Sequence, residues 1–186
     1  MFDNFRADVS HFVALPGTSG TTRAELLKRL ILTQGVWAAA VYRFGNWVHT
    51  RAPRSLAVPC KIPYLVAAKV IEMTTGIDIP AKTTIGPGLF IGHFGGIIVH
   101  ADAILGAGCS ISPGVIIGTR GGGVAGAPRI GDRVYLGSGA KILGQVTIGD
   151  DARIGANAVV VDDVPAGATA VGVPAVLTGG ASHGPL

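Results

Sequence analysis

The chain has little of what an ordinary globular core is built from. Aromatic residues make up 6% of its 186 positions and charged residues 14%, with two cysteines and two methionines. So few bulky side chains exclude a core packed around aromatics, and repetition must take its place. Cys60 and Cys109 have no metal or redox spacing, and no cluster of His, Cys and carboxylates points to a required metal. A long apolar run free of charge is also missing. The stretch Leu56–Met73 is interrupted by Lys61, Lys69 and Glu72 and carries Pro59 and Pro63, which suits a packed helix better than a membrane span. Met1–Asp8 lacks the basic start and apolar run of a signal peptide, so a cytoplasmic protein is expected.

What is present is a period of six. Aliphatic residues recur at Ile79, Ile85 and Ile91, then, after a step of eight, at Val99, Leu105, Ile111 and Ile117. After a step of thirteen the series resumes at Ile130, Leu136, Ile142, Ile148, Ile154 and Val160. Six fits neither an α-helix nor a two-faced strand, and short repeats of this kind predict a coiled parallel β-solenoid. Glycine follows the aliphatic in eight of the thirteen hexads, where the backbone must turn sharply or approach its neighbour. Four residues after nine of these aliphatics come small or β-branched side chains, Cys109, Val115, Val134 and Ala140 among them, able to fill a narrow interior. A glycine-rich disordered segment would show no such phase between aliphatics and glycines.

Charge is uneven along the chain. Residues 1–78 hold nine Lys/Arg against five Asp/Glu, and residues 79–186 hold six against six. The net charge of +4 therefore belongs to the N-terminal part, which argues against a nucleic-acid groove along the repeats. It permits at most a peripheral contact with an anionic membrane, a solvated helix face being the commoner meaning. Residues 1–22 are expected to be a loosely docked start. A helix is predicted from Arg23 to about Thr50, capped by Thr21 or Thr22, and a second from about Pro63 to Thr75, ended by Gly76. Three parts follow: a helical segment over 1–77, a solenoid over 78–177 and a flexible tail over 178–186. The segment Asp162–Ala175 is expected to leave the coil.

Two irregularities break the period. Two residues are added beside His93, and about one hexad is added in the loop 119–128, which contains Gly121, Gly122 and Gly123. With these the chain resembles a known family. DIPAKTTIGPGLFIGHFGGIIV (Asp78 to Val99), GSGAKILGQVTIGDDARIGANAVVVDDVP (Gly137 to Pro165) and VGVPA (Val171 to Ala175) are similar to the hexapeptide-repeat domain of serine acetyltransferases. The resemblance spans about residues 76–177 and implies a mainly β fold, a left-handed parallel β-helix preceded by a small α-helical segment. A closer likeness is to the exopolysaccharide branch, such as the colanic acid biosynthesis acetyltransferases. GVIIGTRGGGVAGAPRIG (Gly114 to Gly131) resembles that branch's loop, and the short N-terminal part with YRFGNW (Tyr42 to Trp47) fits it. Serine acetyltransferases carry an Arg-His-Pro triplet at the loop's end, where this chain has Gly126, Ala127 and Pro128. The aspartate that usually precedes the histidine is Gly92, and the chain ends Pro185–Leu186 without those enzymes' terminal isoleucine.

Acetyl transfer to a hydroxyl needs a base for the leaving proton and donors for the oxyanion. Imidazole suits the first task. His93 is the favoured base, and the resemblance implies that Asp78 orients its ring and also meets the substrate. Backbone N–H groups around Gly95 and Gly96 are oxyanion candidates. The resemblance further implies acetyl-CoA as cosubstrate, meeting main-chain groups at Thr119, Ser138 and Ala156. Lys141 and Arg153 could meet its phosphates, or be plain surface charges. Arg120 could contact the acceptor, or form a salt bridge at the loop base. His100 is the rival histidine, read as an exposed corner residue, while His11, His49 and His183 lie outside the repeats and read as incidental. Gly137–Gly139 is no phosphate loop, since no GK[ST] follows, and Gly121–Gly123 lacks a dinucleotide context. A homotrimer, or a dimer of trimers, is the implied assembly. The expected function is O-acetylation of a sugar hydroxyl in exopolysaccharide biosynthesis. Serine O-acetylation is the alternative, and a non-catalytic solenoid scaffold the second.

Overall fold

The computed structural model describes residues 2–14, 22–121 and 126–178. Residues 122–125 of the expected loop and 179–186 of the expected tail lie outside the described residues. Four helices precede the repeats: α1 (Phe2–Val13), α2 (Arg23–Leu32), α3 (Gln34–Thr50) and α4 (Arg54–Thr75). The hexads then wind into a coil with three faces. One face stacks β1 (Ile77–Asp78), β4 (Ile97–Val99), β7 (Ile116–Gly118), β10 (Lys141–Leu143) and β13 (Val159–Val160). A second stacks β2 (Thr84–Ile85), β5 (Ile104–Leu105), β8 (Arg129–Ile130) and β11 (Thr147–Ile148). The third stacks β3 (Phe90–Ile91), β6 (Ser110–Ile111), β9 (Tyr135–Leu136), β12 (Arg153–Ile154), β14 (Thr169–Val171) and β15 (Val176–Thr178). All neighbours are parallel except β14 and β15.

The inward residues form ladders. Ile91, Ile111, Leu136 and Ile154 stack in register on the third face and are at most 3% exposed. Cys109, Val115, Val134, Ala140 and Ala152 fill the space between faces with no exposed surface. Repetition thus replaces the missing aromatics, and the coil is the left-handed parallel β-helix. Ile79 departs from the pattern: β1 ends at Asp78, and Ile77, paired with Ile97, is the first fully inward aliphatic.

The helical part corrects several expectations. Of the expected loose start, residues 2–14 are docked, and residues 15–21 lie outside the described residues. The docked part forms α1, whose Asp8 lies 4% exposed beneath α3 and accepts from Arg43 Nε and Nη2 at 2.9 Å each. The single helix expected over 23–50 breaks at Thr33, which is in extended conformation and joins α2 to α3. The break lets Gly35 lie against the coil, where a Cβ would fall 1.9 Å from the Ile91 carbonyl oxygen. Thr22 does cap α2, in a reciprocal capping box with Glu25. The second helix begins at Arg54, not Pro63, and runs through Pro59 and Pro63, which both lie on its exposed side. Gly76, at φ 68°, ends it as expected. At the far end the coil does not stop at Val160: β14 adds a rung beneath β12, and the chain then reverses into β15.

The YRFGNW stretch fastens α3 to the first coil. The Tyr42 hydroxyl donates to the Thr83 carbonyl, Arg43 to those of Ile85 and Gly86, and Asn46 to that of Ala81. His11 is not incidental either. Its Nδ1 donates to the Gly88 carbonyl at 2.6 Å, and its ring packs on Phe90 alongside Phe12.

Candidate active site

The two added residues widen the corner between β3 and β4. Gly95 and Gly96 take φ values of 121° and 60°, the first open in practice to glycine alone, and the turn projects His93 and Phe94 outward. It is braced from below, the Gly114 N–H donating to the Gly95 carbonyl at 2.7 Å. Among the described residues the N–H groups of 93–96 make no hydrogen bond within the chain, so four donors stand free at the corner. Nor does the His93 ring have a hydrogen-bond partner among the described residues.

His93 borders a cavity of about 220 Å³ whose walls include Phe90, Ser110, Ser112, Pro113 and Tyr135. Three of these are the outward residues of successive strands on the third face, Phe90 opposite Ser110 and Ser110 opposite Tyr135. Arg153 is next in the same column, its guanidinium 5.0 Å above the Tyr135 ring centre. Among the described residues Arg153 has no carboxylate partner. The sequence reading missed this column. Its signal is the residue before the aliphatic in every third hexad, legible once three faces are assumed.

The other expected site residues fall into two groups. Ser138 and Ala156 are exposed at the same edge as His93, below it on successive coils, though the Ser138 carbonyl already accepts from Asn157 N–H at 2.8 Å. Lys141 lies there too, but its ammonium fastens two turns by donating to the Gly114 and Gly139 carbonyls at 2.6 and 2.8 Å. The expectation that it serves a phosphate therefore gives way to a bracing role. Thr119 and Arg120 sit at a different edge, following β7. Arg120 donates to the Val161 carbonyl and lies 3.8 Å from Asp162, so the salt bridge at the loop base is the reading that holds. Within one chain these two do not meet His93.

Asp78 does not hydrogen-bond His93. It is the exposed residue of β1, opposite Ile98, and borders a separate cavity of about 60 Å³ with Tyr64, Ala68 and Glu72 of α4. Burial pushes its carboxyl up, the nearby Glu72 adds to the rise, and Lys69 opposes it. The expected orienting bond fails because α4 packs against β1 and surrounds the carboxylate with its own charges. His100 is half-buried at a corner, with Nδ1 accepting from the Asp102 N–H.

Comparison with known proteins gives this geometry its family. The "Bacterial transferase hexapeptide (six repeats)" model matches residues 127–162, and the "Hexapeptide repeat of succinyl-transferase" model matches residues 145–180. A solved serine acetyltransferase in complex with CoA superposes with a TM-score of 0.77 at 31% identity, over 95% of this chain and 68% of that one. The chain belongs to the hexapeptide-repeat acetyltransferases. A soybean serine acetyltransferase complexed with serine gives a TM-score of 0.78 at 32% identity, over 94% of this chain and 68% of that one. The serine acetyltransferase of Mycobacterium tuberculosis is 40% identical over 115 residues, 60% of this chain and 46% of its own length. That of Escherichia coli K12 is 35% identical over 118 residues, 63% of this chain and 41% of its own. The chain thus spans less than half the length of these two relatives.

These likenesses overturn the sugar acceptor. The relatives and the superposed structures are serine acetyltransferases, which supports the alternative reading instead. The features taken to mark an exopolysaccharide acetyltransferase have other work. YRFGNW holds α3 to the coil, and the Arg120 of the TRG motif is tied to Val161 and Asp162.

Proposed function

We propose that this acetyltransferase moves the acetyl group of acetyl-CoA to the hydroxyl of serine, releasing O-acetylserine and free CoA. The observation that carries the reading is His93 at the mouth of a cavity, unbonded, beside four free backbone N–H groups. As the hydroxyl oxygen attacks the thioester carbon, the imidazole takes its proton and the corner N–H groups, Gly95 and Gly96 among them, receive the oxyanion. Collapse breaks the carbon–sulfur bond, and the proton passes from the imidazolium to the departing thiolate.

In this reading Asp78 acts as a charge rather than a hydrogen-bond partner, favouring the imidazolium and the ammonium of serine. Thr119, Ser138 and Ala156 offer main-chain groups to the donor and Arg153 its guanidinium, with Thr119 supplied across an interface between copies in a homotrimer. The likeness to serine acetyltransferases supports serine as the acceptor. Gly126-Ala127-Pro128 leaves this chain without their loop Arg-His pair, so weak serine affinity is expected. The test is thiol release from acetyl-CoA with serine, threonine and a panel of sugars. Saturable turnover with serine supports the proposal, and turnover with sugars alone refutes it.

A further inference from the structure

Helix α4 leaves one side uncovered. Tyr64, Ile71 and Thr75 turn toward α3 and β1, whereas Val58, Ile62, Leu65, Val66, Val70 and Met73 are between 52% and 79% exposed. At 3.6 residues per turn these six fall within an arc of about 140°, wide enough to be the buried stripe of a packed helix. A monomer rarely shows more than a few hundred Å² of apolar surface in one patch, so this face is built to be covered.

The charges along it indicate by what. Lys69 lies inside the arc and Arg54 and Lys61 along one margin, and the one acidic side chain of the helix, Glu72, is already paired with Lys69 at 2.5 Å. Arg51 precedes the helix, and the chain's entire excess of positive charge lies in residues 1–78. A second copy docked on this face would bring these cations against their own counterparts with no free carboxylate on α4 to answer them. An anionic bilayer answers them all: the apolar arc enters the acyl boundary while the long basic side chains reach the headgroups. Among the described residues no helix is long and apolar enough to cross a membrane, so contact would be in the plane of the surface.

We infer that α4 docks the protein on an anionic membrane surface through Val58, Ile62, Leu65, Val66, Val70 and Met73, with Arg54, Lys61 and Lys69 contacting headgroups. The test is flotation of the full chain with vesicles of phosphatidylcholine, alone or mixed with phosphatidylglycerol. Binding is expected only with phosphatidylglycerol, weakening as salt rises. Combined Arg54→Gln and Lys61→Gln should weaken it about twenty-five-fold, at about fivefold per headgroup contact. Combined Ile62→Ser and Leu65→Ser should abolish it while thiol release from acetyl-CoA stays unchanged. Protein that remains in the aqueous phase with every vesicle refutes the inference. So does equal binding to both vesicle types. Should Ile62→Ser with Leu65→Ser instead lower the solution mass by light scattering, with no vesicle binding by the unsubstituted chain, the face joins copies of the protein.

Discussion

Replacing Arg43 by methionine tests whether the N-terminal helices are part of the folded unit. The guanidinium is 4% exposed and makes four hydrogen bonds, two to Asp8 and one each to the Ile85 and Gly86 carbonyls. Removing it strands the Asp8 carboxylate, also 4% exposed, with only the Leu89 N–H as donor. Breaking one side of a buried pair costs about 3–5 kcal/mol, mostly the burial of the uncompensated charge. Replacing both partners, Asp8→Leu with Arg43→Met, removes that charge and should cost less than Arg43→Met alone. The assay is urea denaturation followed by circular dichroism on both variants, on Asp8→Leu and on the unsubstituted chain. A loss below about 1 kcal/mol for Arg43→Met would refute the reasoning, since that is the range of an exposed pair. The same variant should perturb catalysis, because α1 carries His11 and Phe12 against Phe90, a wall of the His93 cavity.

Two further predictions follow from packing and titration. Gly35→Ala places a methyl group in the Ile91 carbonyl and must push α3 off the third face, costing about 1–3 kcal/mol or more by thermal unfolding; an unchanged midpoint would show that α3 is not seated on the coil. Burial pushes the Cys109 thiol up to about 11 and the Tyr42 hydroxyl up to about 12. The folded state thus keeps protons that the unfolded chain releases from about pH 8.5 upward, and stability should fall as pH rises through that range. In Cys109→Ala the fall should begin only near the tyrosine range of about 10, and an identical pH profile would exclude the thiol as its cause.

The coil was legible because each inward position meets its copy on the next rung, so one side-chain rule repeats along the chain. The bulge at His93 was legible as a break in that rule. What escaped was set by contacts between distant segments. α1 shows as helix only once Asp8 meets Arg43 and Leu89, thirty-five and eighty-one residues away. The break at Thr33 serves the seating of Gly35 on Ile91, which no local pattern announces. The family resemblance placed Asp78 beside His93, yet α4 packs over β1 and gives it Glu72 and Lys69 as neighbours. Lys141 and Arg153 look alike as outward basic residues; only the folded coil separates the brace from the cation stacked on Tyr135.

The most direct test of the central claim is steady-state thiol release from acetyl-CoA with serine by His93→Ala beside the unsubstituted protein. A general base contributes about 10²–10⁴-fold, so kcat should fall by that factor while the circular dichroism spectrum and the unfolding midpoint are retained. A folded His93→Ala protein with kcat within a few-fold of the unsubstituted chain would contradict the account.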